Sequence, residues 1–402
     1  METCKEQIRW SLDQIDRLAD ICRCDVEEWQ KQLHSIPEPG MKEYETSQFL
    51  REKLTEMEIP FQEIEPTGLV ADFGHGSHCI ALRADMDGLH IQEQTDLPWK
   101  SQHEGYMHAC GHDGHMAALL GVAVLLKQYE SSLNLRVRLI FQPSEENCQG
   151  AKHMIQAGAL EDVEEIYGLH LFTDLPTGVI SLDPGPRMAI TDRFEVRLRG
   201  KGGHAGKPHQ CVDATVAAAA VIMNLQTIVS RHLDPMEHAV LTVGHLTSGS
   251  QYNIIAETAE FEGTIRTFSE AVERDMKDTF CHTVRKTCEV YGVEAQIAYH
   301  PSEHPVVFND PKRSVALKED ALKLWGSGVV KDIPAIMLGE DFSVYQSRIP
   351  GVFAFVGSGD PEKGCIYPNH HPAFCLDPQA LYMALKVYLL YILHKNGEYC
   401  DD

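Results

Sequence analysis

The chain has 402 residues, long enough for two or three domains, which excludes a peptide-sized binding module. Its 35 basic and 59 acidic residues give a formal net charge of −24, which argues against nucleic acid as a partner. Hydrophobic residues make up 43% of the chain and charged residues 23%, as in ordinary globular domains rather than disordered or fibrous ones.

The cysteines and the apolar runs indicate in which cellular compartment the protein is expected. Twelve cysteines are too sparse in a chain of this length to indicate a disulfide framework, so a reducing compartment fits best. Residues 1–20 carry several charges and no apolar core of the signal-peptide type. The longest apolar run, residues 116–126, is shorter than the roughly 20 residues that a membrane helix needs. We therefore expect a cytoplasmic protein that does not contact a membrane.

The first half of the chain alternates short strands and helices. Apolar periodicity and turn signals, taken in chain order, predict a helix at 44–57, strands at 69–73 and 79–83, a helix at 116–126, a strand at 134–141, a helix at 151–157 and a strand at 166–171. This order is typical of an α/β layer with largely parallel strands.

A Pro/Gly-rich stretch at residues 183–186 marks a domain boundary. Beyond it the prediction is a strand at 193–198, a helix at 213–230, strands at 238–245 and 258–266, a helix at 270–291 and a strand at 294–299. This β-α-β-β-α-β order is that of a ferredoxin-like module. The chain then resumes with a helix at 314–325, a strand at 351–356 and a helix at 378–395.

The densest group of potential metal ligands is the sequence MHACGHDGH at residues 107–115. Cys110 and His112 are soft and borderline donors, and they lie where a helix begins, a position that stabilises a thiolate. The alternative is a polar loop with incidental histidines. Upstream, Asp87 follows a predicted strand and could fix the tautomer of a ligand histidine, unless it only caps a helix or loop.

Two adjacent carboxylates, Glu145 and Glu146, directly follow another buried strand. Such a pair is favourable beside a metal ion, with one residue as ligand and the other free as proton carrier. His170 and His370 lie in two further motifs that we place at strand ends, although His170 alone could be a satisfied core histidine. Together these residues supply ligands for two divalent ions, a usual device for hydrolysis.

The predicted inserted domain contains GKGGHAGKPH at residues 200–209. It formally matches a dinucleotide fingerprint, but Pro208 would interrupt the required helix and the flanking order is not βαβ. Glycines around His204 indicate a close-approach loop that presents the histidine to a substrate, although a structural turn remains possible. Asn253 and Arg266 flank a predicted strand, and Arg266 could bind a substrate carboxylate or form a surface salt bridge.

Taken in order, these motifs, with LGEDFSVY at 338–345 and NHHPAF at 369–374, resemble the M20 metallopeptidase family. Within it the chain is similar to the aminoacylase subgroup, which includes hippurate hydrolases, indole-3-acetyl-amino acid hydrolases and N-acetyldiaminopimelate deacetylases. The resemblance implies a mixed-sheet α/β metallohydrolase domain at residues 1–186 and 304–402, interrupted at 187–303 by a ferredoxin-like lid and dimerisation domain.

The resemblance also implies roles for the residues that match the family motifs. The matching metal ligands are Cys110, His112, Glu146, His170 and His370. In the same way, Glu145 matches the general base and Asp87 matches the supporting aspartate. His204 matches an oxyanion-stabilising residue that reaches the partner subunit. Asn253 and Arg266 match the residues that bind the substrate carboxylate, but more loosely. The chain departs from the common family pattern at three positions: it has Gly339 where serine is common, Asn369 where leucine is common, and Ala214 where proline is common.

The expected activity is hydrolysis of N-acyl amino acids, with an acetyl or aromatic acyl group, by a homodimer that holds two divalent ions per subunit (Mn²⁺, Zn²⁺ or Co²⁺). A dipeptidase or carboxypeptidase would share the fold and chemistry, and only the acyl pocket would distinguish it. A non-catalytic metal-binding protein is the alternative of a different class. It has no use for Glu145, a second carboxylate beside the ligand Glu146.

Overall fold

The computed structural model describes residues 11–398. Its helices are, in chain order, α1 Ile15–His34, α2 Tyr44–Glu56, α3 His112–Tyr129, α4 Gly150–Gln156, α5 Ala214–Thr227, α6 Glu270–Tyr291, α7 Pro311–Val329, α8 Phe342–Gln346 and α9 Pro378–Glu398. Its strands are β1 Gln62–Ile64, β2 Gly68–Phe73, β3 Cys79–Asp85, β4 Arg136–Gln142, β5 Glu165–Pro176, β6 Ile180–Ser181, β7 Gly185–Met188, β8 Ile190–Arg199, β9 Gly203–His204, β10 Ala239–Ser248, β11 Ile254–Ile255, β12 Thr258–Thr267, β13 Glu294–His300, β14 Val307–Asn309 and β15 Gly351–Gly359.

The chain forms two compact units. Among the described residues, the first contains 11–187 together with 308–334 and 340–398, and the second contains 188–307 with 335–339. The short segment 335–339 therefore belongs to the inserted unit, because Met188 bridges Ile336 and the Ala189 amide donates to the Leu338 carbonyl. Sequence analysis places this segment in residues 304–402 of the catalytic domain. The lid and dimerisation roles stay predictions.

The first unit is built on a seven-stranded mixed sheet of order β1-β2-β4-β3-β5-β15-β6. Its four central strands β4, β3, β5 and β15 are parallel, and the flanking strands β1, β2 and β6 pair antiparallel. The central strands are almost wholly buried, which suits strands covered on both faces. The mixed α/β fold expected from the sequence is therefore confirmed.

Helices α1, α3 and α9 pack together, α3 and α9 also pack against this sheet, and the apolar side chains of all three belong to the main core of the first unit. Helix α3 starts at His112, four residues before the predicted start. The difference arises because His112, Asp113 and His115 are polar but buried, so the apolar pattern is interrupted over the first helical turn. The candidate ligand His112 therefore lies on the helix rather than in the preceding loop.

The second unit is a four-stranded antiparallel sheet of order β10-β12-β8-β13, with α5 and α6 packed on it. Residues of β8 alternate between buried and exposed, so one face of the sheet packs against the helices and the other carries charges. The strand order and the β-α-β-β-α-β succession are those of a ferredoxin-like module. After β8 the chain enters the two-residue strand β9 and then a single 3₁₀ turn at Pro208–Gln210, and no α-helix begins before Ala214, so the dinucleotide-site interpretation fails.

By length and apolar content, the segment Ala214–His232 could cross a membrane. It comprises α5 and a π-helical turn, and its residues Ala217, Val221 and Leu225 are completely buried in the core of the second unit. Such a helix is typical of the core of a globular module.

Candidate metal centre

Two parallel neighbours, β3 and β4, carry the first candidate residues to the same edge of the sheet. Asp85 at the end of β3 is paired in register with Gln142 at the end of β4. Asp87 follows the first strand by two residues and Glu145 follows the second by three. The carboxyl ends of parallel strands are where sites form in α/β sheets, and here they bring Asp87, Glu145 and Glu146 together.

The Asp87 carboxylate holds the Glu145–Glu146 pair through the backbone. Its Oδ1 accepts from the Glu145 amide at 3.0 Å and its Oδ2 from the Glu146 amide at 3.1 Å. The predicted link between Asp87 and a ligand histidine needs correction. The Nδ1–H of His112 donates to the Asp87 main-chain carbonyl at 2.9 Å, and the carboxylate oxygen lies at 3.4 Å. The residue fixes the tautomer of His112 mainly through its backbone.

Cys110 and His112 are separated by Gly111, which has a φ of 91°. A side chain at Gly111 would be strained at this φ, and its Cβ would lie 3.3 Å from Leu171. The turn lets the Cys110 thiol and the His112 ring approach the same space. Both side chains are buried, with 8% of Cys110 and none of His112 exposed.

His170 lies in the middle of β5 rather than at its end, because β5 continues to Pro176. Its Nδ1–H donates to the Leu171 carbonyl at 2.9 Å, which leaves Nε2 free as a donor atom for a metal ion. That Nε2 lies 3.2 Å from the Cys110 sulfur. The strand-end prediction for His170 is wrong, but the residue does reach the cluster.

His370 does not follow a strand directly, since β15 ends at Gly359. It lies in a turn with a φ of 68°, and its amide donates to the Ala109 carbonyl at 2.7 Å. Its Nε2 approaches a Glu146 carboxylate oxygen at 3.2 Å. The side chain is 52% exposed, so it forms the open side of the cluster.

The candidate ligands form two overlapping groups that share Cys110. Within each group the ligand atoms lie within 4.8 Å of one another, and the groups are Cys110, His112 and His170, and Cys110, Glu146 and His370. The donor set fits divalent ions of the zinc type. His112 Nε2 is buried and, among residues 11–398, has no hydrogen-bond partner, as expected of an atom that binds a metal ion.

The electrostatics of the cluster also favour a cation. Burial, followed by the negative charges of Glu146 and Glu145, raises the pKa of the Cys110 thiol well above its usual range. Burial and the neighbouring Glu340 and Glu146 raise the pKa of Glu145 in the same way. So many buried carboxylates and a thiol are stable together only with positive charge nearby.

Sequence analysis missed a buried ion network beneath the cluster. Arg83 pairs with Asp85 at 2.8 Å, with Asp341 at 2.9 Å and with Glu340 at 3.1 Å. Asp85 in turn accepts from His115 Nδ1–H at 2.6 Å. The sequence signals for this network are an arginine inside an otherwise apolar strand and the motif at 338–345, which contains Glu340 and Asp341.

His115 is also in the cluster but is held by other groups. Its Nε2 accepts the Leu171 amide at 3.0 Å, while its Nδ1–H donates to Asp85. Both ring nitrogens are therefore engaged, so His115 orients the peptide that follows His170 rather than offering a ligand atom.

In the second unit the structure brings His204 and Asn253 together. Strand β9 pairs with β11, and the Ala205 amide donates to the Asn253 carbonyl at 3.1 Å. Both side chains are exposed. The Gly206 amide donates to His204 Nδ1 at 3.0 Å, so the neutral ring carries its proton on Nε2.

Arg266 is not part of that group. Asn253 lies in the loop just before β12, which starts at Thr258. Arg266 lies near the other end of β12, where it pairs with Thr191. The eight residue steps from Thr258 to Arg266 span roughly 26 Å along the strand. One carboxylate cannot contact Arg266 and Asn253 of the same chain. Arg266 donates to the Met337 carbonyl at 2.5 Å, and among residues 11–398 no carboxylate pairs with it, which removes the surface salt-bridge alternative.

The comparisons with known proteins agree with this site. The model of peptidase family M20/M25/M40 matches residues 81–394. The N-acetyl-L-cysteine deacetylase of Bacillus subtilis is 41% identical over 369 residues, which cover 90% of this chain and 85% of that protein. The thermostable carboxypeptidase 1 of Saccharolobus solfataricus is 35% identical, with coverage of 94% and 98%.

A solved structure from Bacillus subtilis, described as a dinuclear metal-binding peptidase of the M20 family, superposes with a TM-score of 0.80. It is 34% identical, and the match covers 93% of this chain and 98% of that one. A buried cluster of cysteine, histidine and glutamate at the edge of a mixed sheet, in such a fold, defines a metal-dependent hydrolase with two divalent ions. The chain belongs to peptidase family M20/M25/M40 and hydrolyses amide bonds.

Proposed function

We propose that this protein hydrolyses N-acyl amino acids, with an acetyl or aromatic acyl group, to a carboxylic acid and a free amino acid. The main support is the arrangement of Glu145 and Glu146. Both amides are held by Asp87, and Glu146 lies in one ligand group with Cys110 and His370. Glu145 is buried 3.9 Å from His112 Nε2, where the two glutamates and His112 form another possible ligand group. A proton carrier beside a ligand carboxylate is a catalytic arrangement, and a storage protein would not need it.

The residues that would hold the two ions are Cys110, His112, Glu146, His170 and His370. This mixture of thiolate, imidazole and carboxylate suits Zn²⁺, Mn²⁺ or Co²⁺. When bound, a pair of such ions polarises the scissile carbonyl and makes the attacking water more acidic.

Glu145 accepts the proton of the attacking water and returns it to the leaving amine. Its backbone is fixed on both sides, since the Glu145 amide binds Asp87 and its carbonyl accepts from the Cys148 amide at 2.7 Å. The carboxylate therefore stays in place through both proton transfers.

His204 supplies a hydrogen bond to the oxyanion. Because Gly206 occupies Nδ1, the proton lies on the exposed Nε2, which can donate without any change of tautomer. Gly206 also allows this contact, since a Cβ at residue 206 would lie 3.2 Å from His204 Nδ1.

The substrate carboxylate binds Arg266 of one subunit and Asn253 of another. The separation of these residues along β12 supports this division, because both can contact one substrate only if they come from different chains. Arg266 is half-buried, unpaired and cationic in an acidic protein, as a carboxylate site requires.

The active assembly is a homodimer formed through the second unit. Strand β10 is at the edge of its sheet among the described residues, and it is ten residues long. Exposed apolar side chains on β10 and on the neighbouring helix α5 also support a dimer contact through this unit. They are Leu246 on β10 and Val216 and Met223 on α5. A cytoplasmic location completes the proposal and is supported by the ten described cysteines, none of which is in a disulfide.

A panel of substrates tests the proposal. Metal-free protein is reconstituted with Zn²⁺, Mn²⁺ or Co²⁺ and assayed on acetyl, benzoyl and long-chain acyl amino acids and on matched dipeptides. We expect kcat/KM for a short or aromatic acyl substrate to exceed that for dipeptides by about tenfold or more, a difference of about 1.4 kcal/mol.

Two outcomes would favour the other candidates. Preference for dipeptides would indicate a peptidase, a function supported by the name of the thermostable carboxypeptidase relative. Two bound ions without turnover on any amide would indicate a metal-binding protein.

A further inference from the structure

The side chain of Asn369 contacts two ligand-bearing segments at once. Its Nδ2 donates to the Cys110 carbonyl at 3.1 Å and to the Leu171 carbonyl at 3.2 Å, and it lies 3.9 Å from the Cys110 sulfur. Asn369 directly precedes the candidate ligand His370. One amide group therefore connects the turns that carry Cys110 and His370 with the strand β5 that carries His170.

Two partners of this amide are carbonyl oxygens, which only accept, and they fix its orientation. If the side-chain amide were flipped, Oδ1 would face these two carbonyl oxygens with no proton between them. The NH₂ group must therefore point into the cluster. The leucine that is common at this position in the resembling family has no proton to donate.

The Leu171 carbonyl is the acceptor that orients His170. It receives the His170 Nδ1–H at 2.9 Å and the Asn369 amide through its second lone pair. Since His170 Nε2 lies 3.2 Å from the Cys110 sulfur, the relative position of these two ligands depends on that carbonyl and on the Cys110 backbone. Asn369 binds both.

We propose that Asn369 is a positioning residue that holds Cys110 and His170 in metal-binding geometry by bridging their backbone carbonyls. The proposal rests on the metal centre of the proposed function but not on the substrate. Groups that orient metal ligands typically contribute 10- to 100-fold to metal affinity.

Co²⁺ binding to the metal-free protein tests this without substrate. Asn369→Leu and Asn369→Asp both remove the donor, and we expect each to weaken Co²⁺ binding by about 10- to 100-fold. We also expect a shifted thiolate-to-cobalt absorption band. Asn224→Leu is the matched control, because it loses one amide bond, to Thr287 at 3.0 Å, in the second unit. Its affinity and spectrum should equal those of the wild type.

Wild-type affinity and an unchanged band in Asn369→Asp, which preserves the side-chain shape, would overturn the proposal even if Asn369→Leu folds poorly. The proposed function fails separately. It fails if wild-type protein binds two ions but does not hydrolyse acyl amino acids, an outcome that leaves the role of Asn369 intact.

A second, independent observation concerns Cys365 and Cys375. Their sulfur atoms lie 3.2 Å apart, Cys365 is buried and Cys375 is half-buried. Both ends of this segment are anchored, since Cys365 pairs with Asp360 through two backbone hydrogen bonds and Phe374 packs in a small core. The hydrogen bond between the thiols lowers the pKa of Cys375 to about 7.

We infer that Cys365 and Cys375 form a reversible disulfide on exposure to a peroxide. The Cys375 thiolate attacks one peroxide oxygen, the O–O bond breaks, and the thiolate becomes a sulfenic acid, while the leaving hydroxide takes up the proton that the thiol had released and becomes water. The Cys365 thiol then displaces a second water to give the disulfide. Two thiols are oxidised, one peroxide is reduced, and the closed ring contains His370.

Mass spectrometry of the metal-loaded protein after hydrogen peroxide treatment tests this inference. We expect a loss of two hydrogens, a linked peptide pair joining Cys365 to Cys375, and recovery with a thiol reductant. Cys375→Ser should abolish the linkage, while Cys24→Ser, at an exposed free cysteine, should preserve it. Absence of the linked pair in wild-type protein, or its persistence in Cys375→Ser, would overturn the inference.

Discussion

The metal-ligand cluster of the first unit and the His204 loop of the second unit differ in how their functional side chains are held. In the cluster, Cys110, His112 and His170 are buried, and hydrogen bonds fix their backbones or rings. In the loop, His204 and Asn253 are exposed and are held by a two-residue strand pair and by neighbouring glycines.

The difference indicates two ways of preparing a site. The cluster is organised before substrate binds, because buried charges are stable only when their partners are in place. The loop leaves a proton donor, His204 Nε2–H, free for a ligand or another subunit.

Separating the proton carrier from the ligand gives the largest effect. Glu145→Gln should lower kcat by about 10²–10⁴-fold while metal content stays near two ions per subunit, because a proton carrier is lost and no ligand is. Glu146→Gln should instead lose metal. Elemental analysis measures the metal content of both variants, and steady-state kinetics measures their kcat. Equal metal loss in the two variants would contradict the assigned roles.

Removing the buried arginine tests how strongly the cluster is organised. Arg83→Met leaves Asp85, Glu340 and Asp341 buried without their shared cation, so the free energy of unfolding should fall by about 3–5 kcal/mol. Arg197→Met, which breaks an exposed pair with Glu260 in the second unit, should cost less than about 1 kcal/mol. Urea denaturation followed by far-ultraviolet circular dichroism measures both. Similar losses would mean that the cluster does not depend on Arg83.

Much of the secondary structure could be predicted from the sequence, and α6 shows why. Its bounds, Glu270–Tyr291, coincide with the prediction, because Ser269 caps the first turn through its side chain and Gly292 ends the helix at a φ of 70°. Helix α3 shows the limit. Its first turn is polar and buried, and periodicity cannot recognise a polar residue whose partner lies elsewhere in the chain.

The same limit applies to the site. Residue types indicated candidate ligands that the structure brings together, since cysteine, histidine and glutamate at these spacings have few other uses. Backbone partners could not be predicted from residue types. The hydrogen bonds of the Asp87 carboxylate to two amides, and that of the Asn369 side chain to the Cys110 carbonyl, were therefore missed. Proximity in sequence also misled, because Asn253 and Arg266 flank one strand and are separated by its length.

Mixed dimers test whether the loop serves another subunit. Glu145→Gln and His204→Ala should each be nearly inactive as homodimers, since loss of an oxyanion donor alone costs about 10²–10³-fold. In a mixed dimer, the site that keeps Glu145 receives His204 from the partner. Random reassembly makes half the dimers mixed with one working site each, so about a quarter of wild-type activity should return. Subunit exchange without recovery would place His204 within its own chain or outside catalysis.

The smallest effect concerns Arg266 and the substrate carboxylate. If Arg266 binds that carboxylate, replacing the free acid of a good substrate by its amide removes a charged hydrogen bond worth about 1.5–3 kcal/mol. Wild-type kcat/KM should then fall by about 10- to 150-fold, whereas Arg266→Ala, which has already lost the interaction, should fall only a few-fold. Arg197→Ala, at an exposed arginine of the same sheet, should behave as the wild type. A penalty in Arg266→Ala as large as in the wild type would mean that the arginine serves only its bond to the Met337 carbonyl.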